Sequence, residues 1–197
     1  MGVIGLTGGI ACGKTLVSDY MKRYRVDVID ADLVTRKLYS PGSKLLDEII
    51  SEFGEEFLLS DGNLNRGALK AHIFPDEAKK RRLDEIVQPA IRKAIFDDLM
   101  TSNSDHQLLV VPLLIEMGYV DLCDEIWLLK VDECTQLQRL IARDQISEEL
   151  AHSIIQSQMS FDKKRKFADR VIDNRGSREC TQKQVKKYFL KYLKKNC

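Results

Sequence analysis

Short uninterrupted apolar runs alternate along this chain with longer stretches whose apolar residues recur every three or four positions. Val3, Ile4 and Leu6 make the first run, and Val26–Ile29 the second. Leu108–Val111 is the strongest, followed by Ile126–Val131 and Arg170–Ile172. Runs this short and this apolar suit strands of a parallel sheet covered on both faces. Between them the period changes. Leu16, Val17, Tyr20 and Met21 fall at helical spacing within Thr15–Tyr24, and Gln184–Lys195 sets Val185, Phe189, Tyr192 and Leu193 against lysines. Strands that alternate with helices predict an α/β protein of three layers around a five-stranded parallel sheet.

The stretch from Pro41 to Ser102 breaks this alternation, because it contains helical patterns only. Leu45, Leu46, Ile49, Ile50 and Phe53 form one stripe that ends at Gly54, and Asp61-Gly62-Asn63 marks a turn. Asn65 caps a helix carrying Leu69 and Ile73. Pro75 opens another through Leu83, Ile86 and Val87, and Pro89 starts a third with Ile91, Ile95 and Leu99. A helical insertion of roughly 65 residues exceeds an ordinary crossover, so it reads as a subdomain. Its run Lys79-Lys80-Arg81-Arg82 reads as a solvated helix face, with contact to a phosphorylated acceptor as the alternative.

Composition narrows the function. Of 197 residues, 44% are apolar, enough for a core, and 31 basic residues against 30 acidic ones leave a net charge of +1. Such a balance gives no general affinity for nucleic acid or membrane, so any anion selectivity has to be local. No apolar run approaches the roughly 20 residues of a membrane span, and no secretory signal precedes the first strand. The five cysteines (Cys12, Cys123, Cys134, Cys180, Cys197) form no C-x-x-C pair. Free thiols in a cytoplasmic protein are the reading, with small molecules as partners and a monomer or small homo-oligomer as the assembly.

The chemistry starts at Gly8–Thr15, GGIACGKT, which fits G-x-x-x-x-G-K-[ST] directly after a strand and before a helix. Glycines let the backbone turn its N–H groups inward, and the helix start adds partial positive charge, so the stretch suits a phosphate. Lys14 would reach the β- and γ-phosphates of ATP, and the Thr15 hydroxyl would help hold Mg²⁺. Asp30 and Asp32 follow the second strand, where open α/β sheets bind ligands; Asp32 is the candidate catalytic acid or base, or else a helix cap. The Leu108–Val111 strand resembles a Walker B strand but lacks its aspartate. Glu116 comes a few residues late, and Leu113 and Leu114 could line an acceptor pocket. Arg139 and Arg143 share a helix face where a lid would close on a nucleotide, followed by Lys163-Lys164-Arg165-Lys166.

Taken together, LTGGIACGKT (Leu6–Thr15), VIDAD (Val28–Asp32), VVPLLIE (Val110–Glu116), QLQRLIARD (Gln136–Asp144) and ADRVIDNRG (Ala168–Gly176) closely resemble the dephospho-CoA kinase family. The resemblance implies an α/β P-loop NTPase fold like that of adenylate kinase. Residues 1–32, 106–137 and 169–197 would form the nucleotide-binding core, 33–105 a helical acceptor subdomain and 138–168 a lid. It implies transfer of the ATP γ-phosphate to the ribose 3′-hydroxyl of dephospho-CoA, with Mg²⁺. Asp32 would be the base, with Lys14 and Arg139 as its catalytic partners. Gly8, Gly9, Ala11, Cys12, Gly13, Thr15, Leu16, Arg143 and Asn174 would join Lys14 and Arg139 in holding ATP. Thr7, Asp32, Leu113, Leu114 and Glu116 would meet the acceptor, and Thr15 the metal.

There are three departures from the family's common pattern: Ala11-Cys12 for Gly-Ser, Gln88 for His, and Thr15 for Ser. A thiol beside a helix start and Lys14 should have a lowered pKa, so oxidation or alkylation of Cys12 is expected to inhibit, with ATP protecting. The alternatives are a nucleoside or nucleotide kinase of the same fold and a nucleotide-binding switch. Asp173–Gly176 fits the D-x-x-G of a switch, but N-K-x-D is missing.

Overall fold

The computed structural model describes residues 2–195, in two compact units: 2–29 with 102–195, and Asp30–Thr101. The first is built on β1 (Gly2–Thr7), whose six residues are all buried. It lies at the centre of a sheet ordered β2-β3-β1-β4-β5, with β2 at Asp27–Asp30, β3 at His106–Val110, β4 at Glu125–Lys130 and β5 at Arg170–Asp173. Leu6 pairs with Val110 of β3 and Trp127 of β4, and Leu128 with Val171 of β5, all in parallel. The five apolar runs of the sequence are these five strands.

Helix α1 (Lys14–Lys22) and the last helix of the chain (Arg178–Lys195) pack against each other on one face. Val17 and Met21 join Val185, Phe189 and Tyr192 over Ile4, Leu6 and Trp127. On the other face Gly5 leaves room for Leu114 and Cys123; a side-chain carbon there would stand 2.6 Å from the Cys123 sulfur. Two aspartates start the ladders. Asp124 accepts the Val3 N–H at 2.7 Å, and Asp169 accepts the Ile126 N–H at 2.8 Å. Each satisfies a strand-end donor that would otherwise be buried without a partner.

The second unit is helical throughout: α2 (Ala31–Leu38), α3 (Lys44–Phe53), α4 (Arg66–Ile73) and α5 (Glu77–Thr101). Asp30, Ser43, Asn65 and Asp76 supply the side-chain oxygens that cap them. Gly54 ends α3 at φ 116°, and Asp61-Gly62-Asn63 turns as its composition requires, with Gly62 at φ 79°. One expectation is corrected. Pro89 begins no new helix but lies inside α5, a continuous helix of 25 residues. Proline inside a helix loses one backbone hydrogen bond and crowds the preceding turn, at about 3 kcal/mol. The buried stripe Val87, Ile91, Ile95 and Leu99, running through the proline turn, outweighs that cost. The basic run on α5 is a surface feature: Lys80 pairs with Glu77, Arg82 with Glu52 and Glu85, and Lys79 with His72.

Because α5 is continuous, Pro89→Ala should raise stability by about 1–2 kcal/mol, after allowing for the greater freedom of the unfolded chain. At this chain length that is a rise of about 2–8 °C in a thermal melt with unchanged helix content. A neutral result would mean that the proline marks a true helix boundary.

Candidate functional site

Where β1 runs out, residues 8–13 wrap around the start of α1. Side-chain oxygens cap α2, α3, α4 and α5, and also α6 (Glu133–Asp144) and α7 (Glu148–Gln156), the last two through Asp132 and Ser147. Helix α1 is preceded by Gly13 at φ 93° and has no side-chain cap. Its first N–H groups and its partial positive charge are thus presented to an anion, which completes the helix end as a cap would. A side-chain carbon at Gly13 would stand 2.3 Å from the Asn174 amide nitrogen, so only glycine fits. Ala11 also has a left-handed conformation, at φ 58°, where a non-glycine residue costs about 1–2 kcal/mol.

Three side chains from distant parts of the chain hold this loop. The Asn174 amide donates to the Cys12 carbonyl at 2.8 Å, and its oxygen accepts from the Thr181 hydroxyl at 2.8 Å. Gln136 donates to the Ile10 carbonyl and Gln158 accepts the Ile10 N–H, both at 2.8 Å. Lys14 lies folded on the loop, donating to the carbonyls of Gly8 at 3.0 Å and Gly9 at 3.1 Å. Arg139 is exposed, and its guanidinium lies 3.9 Å from where a Gly13 side-chain carbon would be. Arg143 is turned to Asp144, with bonds of 2.7 and 2.8 Å. Beside the loop lies a cavity of about 410 Å³ lined by Gly9, Cys12, Gln136, Gln158, Phe161 and Lys164.

At the end of β3 the chain turns through Pro112–Glu116. The buried Thr7 hydroxyl donates to the Pro112 carbonyl at 3.1 Å. Leu114 is fully buried against Gly5, so its side chain lines no surface, whereas Leu113 is half-exposed. Glu116 is paired with Lys164 at 2.9 Å. In the helical unit, the Asp30 carboxylate accepts the Asp32 N–H at 2.9 Å, so Asp30 is the cap and the exposed Asp32 side chain is not used for capping. The same unit has a groove of about 510 Å³ that includes Tyr39, Leu69, Ile73 and Phe74. The Arg66 guanidinium lies 4.6 Å from the centre of the Tyr39 ring, and the Lys80 ammonium 5.4 Å from that of Phe74.

A family model for dephospho-CoA kinase matches residues 2–179. The chain belongs to the dephospho-CoA kinase family. It is 46% identical to a dephospho-CoA kinase of Aggregatibacter actinomycetemcomitans, over 87% of this chain and 83% of that one. Identity to that of Shouchella clausii is 43%, over 92% and 94%. The solved dephospho-CoA kinase of Campylobacter jejuni superposes with a TM-score of 0.73 at 25% identity, covering 99% of this chain and 98% of that one. The P-loop kinase fold expected of the family is the fold observed.

Within the family's pattern, Cys12 requires a correction. It is 1% exposed, and burial pushes its thiol up, outweighing the downward pull of the Lys14 ammonium 3.8 Å away. Proximity of a cation was legible in the motif; burial was not. Cys12, Cys123, Cys134 and Cys180 are free, while Cys197 lies outside the described residues. Asp173 is occupied by Arg175, whose guanidinium lowers its carboxyl to about 2, so the D-x-x-G stretch is closed on itself. The sequence reading also missed Gln136, Gln158 and Lys164. The two glutamines showed no signal, and Lys164 was hidden in a run of four basic residues.

With alkylating reagent at pH 8, Cys134 and Cys180 should be modified while Cys12 resists, as read by peptide mass mapping. Rapid labelling of Cys12 in the folded protein would contradict its burial. Ala11→Gly should relieve the left-handed alanine and raise stability by about 1 kcal/mol, or about 2–4 °C in a thermal melt.

Proposed function

We infer that the chain phosphorylates the ribose 3′-hydroxyl of dephospho-CoA with ATP, giving CoA and ADP, the last step of coenzyme A synthesis. The observation that carries this reading is the glycine-capped start of α1, an anion cradle in a chain of the dephospho-CoA kinase family. The loop N–H groups and Lys14 receive the ATP phosphates, Lys14 exchanging the Gly8 and Gly9 carbonyls for phosphate oxygens. Asn174 and Cys12 contribute by shaping the loop, because their side chains are buried beneath it. Arg139 adds positive charge to the phosphoryl group in flight, and Arg143 is the reserve, at present neutralised by Asp144.

Among the described residues no cluster of His, Cys, Asp or Glu could hold a metal by itself. Mg²⁺ keeps several waters and takes few protein oxygens beside the nucleotide phosphates. The exposed Thr15 hydroxyl is the oxygen on offer. When bound, Mg²⁺ would neutralise phosphate charge. Asp32 orients the acceptor hydroxyl and takes its proton late, as a loose transition state requires.

The helical unit is the acceptor-binding part in this proposal. Its groove sets the aromatic rings of Tyr39 and Phe74 beside Arg66, Lys70 and Lys80, which suits a ligand joining a base or apolar arm to a diphosphate. Leu113 and Glu116 contribute from the β3 turn. Residues 138–168 act as the lid, and the site of action is the cytoplasm. No helix among the described residues is long and apolar enough to cross a membrane.

A coupled assay of ADP release, offering dephospho-CoA beside adenosine, AMP, CMP and shikimate, should show turnover with dephospho-CoA and CoA by mass. Turnover with another acceptor alone would overturn the assignment. Asp32→Asn should leave ATP affinity within about twofold and cut kcat by about 10²–10⁴, the range of a lost general base. Near wild-type turnover would remove Asp32 from the chemistry.

A further inference from the structure

Lys164 is 1% exposed, in the short helix α8 (Phe161–Arg165). The neighbouring basic residues Lys163, Arg165 and Lys166 are all exposed. A lysine ammonium is strongly hydrated and costly to bury, so its partners have to repay the desolvation. They do so at one place. The Lys164 Nζ donates to the Pro112 carbonyl at 3.0 Å and pairs with Glu116 at 2.9 Å. The same Glu116 oxygen accepts the Met159 N–H at 3.2 Å, and the same Pro112 carbonyl accepts the Thr7 hydroxyl. One residue before Met159, the Gln158 side chain holds Ile10 of the phosphate loop.

We propose that Lys164 is a positioning residue for phosphoryl transfer: its buried ammonium fixes the Pro112–Glu116 turn to the segment that also grips the phosphate loop. The two ends of that segment divide the work. Gln158 acts on the loop and needs no help from Lys164. Lys164 acts on the turn that carries Leu113 and Glu116, the residues assigned above to the acceptor side. Glu116 holds the Lys164 ammonium and the Met159 N–H on one oxygen, and its second oxygen is buried with no hydrogen-bond partner, so losing Lys164 would strip the carboxylate of this cation. The turn would move, and an acceptor hydroxyl placed by it would lose its alignment with the phosphoryl group. Misplacement by about 1 Å is enough to cost about 10²-fold in rate.

The proposal rests on the acceptor assignment, and the test separates the two. Lys164→Met should lower kcat by about 10–100-fold and raise KM for dephospho-CoA at least about threefold, while Kd for ATP stays within about twofold. Circular dichroism and a thermal melt establish that the variant is folded at the assay temperature. Should it fail to fold, Lys164→Met with Glu116→Gln leaves no charge buried alone. Measured against Glu116→Gln by itself, it should show the same further loss of kcat. A folded variant whose kcat and KM for dephospho-CoA match the wild type, with only its melting temperature lowered, would overturn the proposal. A loss falling equally on ATP would overturn it too, since it would make Lys164 a general support of the fold. Wild-type turnover with dephospho-CoA, run alongside, reports on the acceptor assignment independently.

Discussion

A strand buried along its whole length has to release the chain at its end, and β1 releases it into a loop that leads to a helix start with no side-chain cap. Much of the first unit follows from that constraint. Gly13 stands where α2, α3, α4, α6 and α7 carry a capping oxygen, which leaves the start of α1 open to an anion. The loop is therefore held from behind, by Asn174 on the Cys12 carbonyl and by Gln136 and Gln158 on Ile10. Two of these bonds go to loop carbonyls and one takes the Ile10 N–H, so the backbone is fixed while the first N–H groups of α1 keep no side-chain cap. An electrostatic site works in this way when its dipoles are aligned before the ligand arrives.

The same logic accounts for the buried charges nearby. Lys164 is costly to bury even beside the half-buried Glu116, and a pair of apolar residues could have filled the space at less cost. What apolar residues could not do is bond a carbonyl and a carboxylate at once, and so set the position of the β3 turn relative to the loop. The neighbouring Cys12 shows the opposite outcome. Burial raises its thiol pKa despite the downward pull of Lys14 and, less strongly, of Lys164. A cysteine at this place fills space beneath the loop, with its thiol shut off from solvent.

The helical unit obeys a different rule. Its long helix α5 keeps going through Pro89 because its apolar stripe has partners along its length in α2, α3 and α4. Local propensity set a cost, and packing exceeded it. The groove near Tyr39 and Phe74 combines rings with cations, a chemistry that a purely structural core has no reason to display at its surface.

Much of this was open to view in the chain itself. Five apolar runs predicted five strands, since a strand covered on both faces leaves few positions for a polar residue. The G-x-x-x-x-G-K-T spacing located the phosphate loop, because few residue types permit that backbone. Asn65 as a cap and Gly54 as a stop followed from local chemistry. The order β2-β3-β1-β4-β5, the continuity of α5, the burial of Cys12 and Leu114, and the roles of Gln136, Gln158 and Lys164 were decided by the tertiary structure alone. Each depends on which residues distant in the chain come to lie together, as Gln158 does with Ile10. A lysine in a basic run has the same appearance in sequence whether water or a carboxylate surrounds its ammonium. Only folding chooses between them, through the balance of desolvation against the partners it brings.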